Sequence, residues 1–145
     1  MPADTQSTQD PAVAKIAALL LAAGPRLVAE SRKLATTFRE PLRAPGEKIP
    51  DRRPVIVPLM VQIMTLRADV EKLAVQGVAQ VSARDLTVRA LRETEEAIGK
   101  LGASYTAVDQ ASATSLLDES VRLFREAQVT SAKAATALNI KWPLQ

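Results

Sequence analysis

Residues 54–66 read Pro54-Val-Ile-Val-Pro-Leu-Met-Val-Gln-Ile-Met-Thr-Leu66, thirteen positions without a charge, and Arg67-Ala-Asp-Val-Glu-Lys-Leu73 follows. Ile56, Leu59, Ile63, Leu66, Val70 and Leu73 recur three and four residues apart, the spacing that lines side chains along one side of an α-helix. Val57, Met60, Val61 and Met64 make a second apolar stripe, rotated away from the first. A helix that is apolar nearly all round in its first half must be covered, either by its own bundle or by something outside it. The run is shorter than the roughly 18 to 20 residues that cross a bilayer, and the charges from Arg67 onward close it. Pro58 is tolerated in a first helical turn, where its missing N–H has no intrahelical partner to lose, so the helix is expected to begin near Pro54 or Val55.

A chain of 145 residues is one domain by size, large enough to bury about two-thirds of the surface that its unfolded form exposes. Hydrophobic residues make up 47% of it but aromatics only 3%, and 25 residues are alanine. The core must therefore be filled by Leu, Ile, Val and Ala, a composition that favours packed helices over a β-sandwich. The formal charge is only +3, from 19 basic against 16 acidic residues, which is too even a balance to name a partner.

There is no cysteine and no histidine. Disulfides, thiol nucleophiles, thiolate and imidazole metal sites, Ser-His triads and the commonest general base are thereby excluded. The first ten residues are small, polar and acidic, with no basic segment ahead of the apolar run, so they do not read as a secretory signal. A cytoplasmic protein is expected. Arginine exceeds lysine, which with the high alanine content suits a bacterial, GC-rich source.

Residues 1–10 read as a disordered tail with nothing to bury. Asp10-Pro11 then supplies an N-cap followed by proline at the first helical position. From there Val13, Ile16, Leu20, Leu27, Leu34 and Phe38 keep helical spacing to about Arg39, across a kink or short break expected at Gly24-Pro25. The stretch 40–54 holds four prolines and one glycine among fifteen residues and reads as an extended crossover. Its basic residues Arg43, Lys48, Arg52 and Arg53 form a candidate anion- or partner-contacting patch beside the plainer expectation of a solvated linker.

The second helix is expected over 55–80, with Gly77 as its stop. Ser82-Ala-Arg-Asp85 matches the pattern that opens a helix by satisfying its free N–H groups, giving a third helix over 83–109 with Leu91, Thr94, Ile98, Leu101, Tyr105 and Val108 inward. Asp85 with Arg89, and Glu96 with Lys100, are expected ion pairs one turn apart. Between Asp109 and Ser115 the apolar phase is lost. It resumes as Leu117, Val121, Phe124, Gln128, Ser131, Ala135 and Leu138 in a fourth helix over 115–138. The expected fold is all-α, a four-helix up-down bundle over 11–138 in one domain. The alternative is three long helices with 83–137 continuous, which would stretch about 80 Å at 1.5 Å per residue. Residues 139–145 form a C-terminal tail in which Pro143 breaks the helix and Trp142 folds back on the bundle end.

No constellation carries chemistry. Glu95-Glu96 and Asp118-Glu119 are adjacent acids, but the Glu-x-x-His repeat of di-iron bundles cannot be made without histidine. Gly99-Lys-Leu-Gly102 follows no strand and lacks the spacing of a phosphate loop; its glycines permit close helix approach or weaken the helix. Arg26, Arg32, Arg67, Arg89 and Arg92 could supply an arginine-lined enzyme pocket for a dianion. The aromatics Phe38, Tyr105, Phe124 and Trp142 are scattered and the charges interspersed, so nucleic acid is not the expected partner. No catalytic residue, metal or cofactor is expected.

The functional signal is excess apolar surface. Ile16–Ala23 and Val55–Leu66 carry more of it than one core seam requires. An exposed stripe of Val57, Met60, Val61 and Met64 would be an adaptable protein-binding or self-association site, because unbranched Met repacks against varied surfaces. The expectation is a non-enzymatic helical interaction module, with a peripheral lipid- or granule-surface protein as the alternative and a small-ligand-binding bundle as the third.

Overall fold

A computed structural model of the chain describes residues 10–37 and 53–142, with side chains at 10–34 and 54–142. Four helices account for 89% of the described residues, and among these there is no strand. They are α1 (Pro11–Thr37), α2 (Arg53–Glu71), α3 (Gly77–Thr106) and α4 (Gln110–Leu138). The protein is an all-α four-helix bundle. The expected tail at 1–9, most of the proline-rich crossover and Phe38 lie outside the described residues.

Asp10 opens α1 as its residue type dictates. Its Oδ1 accepts the Ala12 N–H at 2.8 Å and its carbonyl accepts the Ala14 N–H at 2.8 Å. Val13, Ile16, Ala17, Leu20 and Leu34 are buried along one side. The helix runs through Gly24-Pro25 as one element, so of the expected kink or short break no break forms. Pro25 is on the exposed side, where water can serve the carbonyl that its missing N–H leaves free.

In α2 the first stripe is the core seam: Leu59, Ile63, Leu66 and Val70 are buried, and Ile56 packs partly buried beside them. The helix starts earlier than expected, so Arg53 and Pro54 belong to it rather than to the crossover, and Pro58 falls in the second turn. Pro54 and Pro58 are both exposed, which leaves the unserved Pro54 carbonyl open to solvent.

The boundary between α2 and α3 is where sequence and structure part. The chain leaves α2 after Glu71, and Gly77 starts the next helix instead of stopping the previous one. Gly77 has φ of 78°, a left-handed backbone that favours glycine. Ser82 to Asp85 therefore lie inside α3. The N-cap residue of α3 is Gln76, whose side chain makes no capping bond; Gln80 Oε1 accepts the Gln76 N–H at 2.7 Å while its amide donates to Asp10 Oδ2, tying the starts of α1 and α3 together.

Ala107 adopts an extended φ, ψ of −64° and 146°, which ends α3 and rules out the continuous helix over 83–137. Asp109 Oδ1 accepts the Ser112 N–H at 2.7 Å and so begins α4 at Gln110, five residues earlier than expected. At the other end Asn139 turns left-handed, φ 56°, and the Ile140 N–H reaches back to the Ala135 carbonyl at 3.0 Å.

The α3–α4 hairpin is the most closely packed pair. Its seam is made of small side chains repeating every seven residues: Ala83, Ala90, Ala97 and Ser104 on α3, and Ala113, Ser120, Ala127 and Ala134 on α4, all buried. Ser120 Oγ donates to the Ala97 carbonyl at 2.8 Å. With the two helices antiparallel, that contact sets Ala90 against Ala127, Ala83 against Ala134 and Ser104 against Ala113. The seven-residue period is the one that keeps a seam facing its partner over many turns. The expected α4 seam is met in part: Ala135 and Leu138 are buried and Leu117 and Phe124 pack against the core, but Gln128 is exposed and Val121 is 42% exposed, while Leu123, Ala127 and Thr130 are buried instead. Val108, expected inward, lies beyond α3 and is exposed.

Candidate functional site

The residues singled out on α2 stand on its outer side. Val57 is 51% exposed, Val61 54% and Met64 47%, while Met60 packs partly buried against the core. They share this side with exposed Pro54, Pro58 and Thr65, so two to three turns of helix offer water a surface without a charge. Scattered exposed valines are ordinary on a protein surface; an uninterrupted stripe is not. Val121 and Val129 on α4 are separated by the charged Arg122 and Arg125, and Val78 and Val108 sit singly near helix ends.

The neighbouring helix carries a stripe of the same kind. Ala18, Leu21, Ala22, Pro25 and Ala29 are exposed along α1, with Leu21 56% exposed. Within Pro11–Leu34 an 18-residue window reaches a mean hydropathy of 1.7, which with its length is apolar enough to cross a membrane by length and composition, and 28% of that window is fully buried. The sequence marks Ile16–Ala23 as apolar but not which side is covered. The signal was the spacing of 18, 21, 25 and 29, a face containing no residue larger than Leu21.

What holds α2 in this orientation is polar. Arg67 Nε donates to Glu95 Oε2 at 2.7 Å and Nη2 to Glu95 Oε1 at 3.2 Å, across to α3. Glu71 accepts from Arg67 at 3.0 Å and from Arg92 at 3.3 Å. The Arg67 guanidinium holds the Glu71 carboxyl below its usual range. Thr130 Oγ1 donates to Glu93 Oε1 at 2.8 Å and Arg89 Nε to the same oxygen at 2.9 Å, joining α4 to α3.

The arginines proposed as a pocket do not converge. Arg67, Arg89 and Arg92 are engaged by Glu95, Glu93 and Glu71, while Arg26 and Arg32 lie exposed on α1. The expected pairs are also redrawn: Arg89 turns to Glu93 rather than Asp85, and Lys100 reaches Glu119 on α4 at 3.2 Å rather than Glu96. Among the described residues no three acidic side chains gather as a metal site requires. Of the basic patch, Arg43, Lys48 and Arg52 lie outside the described residues and Arg53 begins α2.

The class that fold and surface define is a four-helix bundle with an apolar stripe left open on each of two helices that pack on one another. No family model matches the chain, and neither a curated protein nor a solved structure is significantly similar to it.

Proposed function

We propose that the chain is a non-enzymatic helical interaction module, an adaptor, chaperone-like or self-assembling protein, that meets another helix through the outer face of α2. The observation that carries this is the half-exposure of Val57, Val61 and Met64 in one stripe, on a helix whose opposite side already fills the core. Apolar area left in water is worth about 25 cal/mol per Å² to whatever covers it. Met64, unbranched and polarisable, suits a surface that must repack against its occupant. The helix covering it belongs to a second protein or to a second copy of this chain.

Light scattering together with a dye that brightens on apolar surface tests this. The expected result is either a mass above that of the single 15.6 kDa chain or strong dye binding, each abolished by Val57→Glu with Val61→Glu. A strict monomer that binds no dye contradicts it.

A second reading has its own support. One side of the apolar window of α1 is uncovered, at Ala18, Leu21, Ala22, Pro25 and Ala29, and Lys15, Arg26, Arg32 and Lys33 are exposed on the same helix. An apolar face flanked by cations suits the surface of an anionic membrane, to which Arg43, Lys48, Arg52 and Arg53 would add attraction. Flotation with anionic vesicles decides it: salt-sensitive co-flotation supports a peripheral lipid role, and none removes it.

A further inference from the structure

We infer that the space between α1 and the α3–α4 hairpin is a binding site for a single-chain amphiphile, an apolar chain that ends in an acidic head group. This goes beyond the outward face of α2, because the site is inside the bundle. Its origin is the small-residue seam: α3 and α4 close tightly on each other, and α1, packed chiefly on α2, touches them at few points. What is left between them is an apolar cavity of about 430 Å³.

All four helices line it, through Leu20 and Leu27 of α1, Ile63 of α2, Leu91 of α3 and Ala135 of α4. Small-molecule sites run from roughly 300 to 1,000 Å³. An apolar cavity near 150 Å³ takes up benzene, so this one has room for roughly three such rings, or about 18 carbon atoms. A docking helix fits poorly, since one turn of helix, about 10 Å wide and 5.4 Å long, would fill the whole volume.

The chemistry of the walls specifies the chain. Four hydroxyl side chains lie on the lining: the two of α3 are spent on their own helix, Thr87 Oγ1 donating to the Ala83 carbonyl and Thr94 Oγ1 to the Ala90 carbonyl, each at 2.8 Å, while Ser31 of α1 is exposed and Ser131 of α4 is half-buried. Along that α3 wall no hydroxyl donor is left for a polar ligand body, whose acceptors would go unpaired at the usual desolvation penalty. Among the described residues Arg32 is the one charged residue of the lining and is exposed, which sets it at the solvent end. A guanidinium at that end favours a carboxylate head group over a neutral one. Trp142, 41% exposed, borders the same cavity and is the chain's single tryptophan.

That tryptophan makes the test direct. The full chain is titrated, below micellar concentration, with saturated carboxylates brominated at the chain end, and quenching of Trp142 fluorescence is read. Each added methylene is expected to tighten binding about fourfold, from about 0.8 kcal/mol per buried CH₂, until the cavity is full near 18 carbons. Val28→Phe, which fills the cavity from its α1 side, abolishes quenching while circular dichroism reports an unchanged helix content. Arg32→Gln removes the preference for a carboxylate over the alcohol of equal length. Val61→Glu, which disables the outward face, leaves the titration unchanged, so this site and the α2 surface stand or fall separately. Quenching that ignores chain length, that survives Val28→Phe, or that appears only at micellar concentration overturns the proposal. An alcohol bound as tightly as the acid overturns its head-group assignment.

Discussion

Arg67 holds Glu95 with two donors across the α2–α3 interface, at 2.7 and 3.2 Å, with only 22% and 12% of the two side chains exposed. A guanidinium matches a carboxylate in this two-pronged way only from one direction, so the pair fixes the rotation of α2 as well as its distance. Glu95, and then Glu71, hold the Arg67 guanidinium protonated even more firmly than usual. Rolling α2 inward to cover Val61 and Met64 would tear this grip and lift Leu66 and Val70 out of the core. The outward stripe is thus held out by the same helix's polar end.

Glu95→Gln keeps the shape and removes the charge, which leaves the Arg67 guanidinium without its chief counter-ion in a largely covered place. It is expected to cost about 1 to 2 kcal/mol, between the value of a surface pair and that of a buried one. Urea unfolding measures it. A loss under a few tenths of a kcal/mol would mean that the pair does not hold α2 in place.

Ala127→Leu tests the small-residue seam. Ala127 is 4% exposed and is set against Ala90, so three added carbons must push α4 away from α3. Overpacking of this kind costs about 1 to 3 kcal/mol, and a shift of the melting temperature would report it. The same substitution at the exposed Ala132 is expected to be close to neutral.

The two α3 glycines should respond differently to alanine. At Gly99 an added Cβ meets nothing within 4 Å, so Gly99→Ala is expected to stabilise by about 0.5 to 1 kcal/mol through helix propensity. At Gly102 the same carbon comes within 3.1 Å of Ile56 Cδ1, on α2, and that contact is expected to offset most of the gain. Equal gains at both positions would contradict the close approach of α2 to α3 at Gly102.

Acid should loosen the start of α4. The backbone N–H of Ser112 holds the Asp109 carboxyl below its usual range. A carboxyl depressed in the folded state adds stability that is complete above its unfolded pKa and is lost as pH falls through its folded pKa. Asp109→Asn keeps a capping side chain but cannot titrate. Melting curves from about pH 6 to about pH 3 are expected to fall more steeply for the native protein than for this variant; parallel curves would remove Asp109 from the acid response.

Large apolar residues at helical spacing made much of this molecule legible. Val13, Ile16 and Leu20, then Leu59, Ile63, Leu66 and Val70, mark the buried sides of α1 and α2, and Asp10-Pro11 marks where the first helix starts. What escaped was written in small residues. The seam of α4 that meets α3 runs through Ala113, Ser120, Ala127 and Ala134, which carry little hydrophobic weight, so Val121 and Gln128 were drawn into a seam from which they point away. The α2–α3 boundary was misplaced because glycine serves equally as a helix stop and, with positive φ, as the residue just inside a start. Whether the second stripe of α2 is covered was not legible while both sides were apolar; the Arg67–Glu95 contact, which helps set the rotation of the helix, joins residues 28 apart in the chain.

The outward face is tested most directly by a photo-crosslinking benzoylphenylalanine placed at Val61 and, as a control, at Arg122 on the exposed charged side of α4. Irradiation in cells is expected to give a discrete adduct from position 61, with a second chain or another protein, and none from position 122. Equal or absent adducts at the two positions would contradict the assignment of Val57, Val61 and Met64 as an interaction surface.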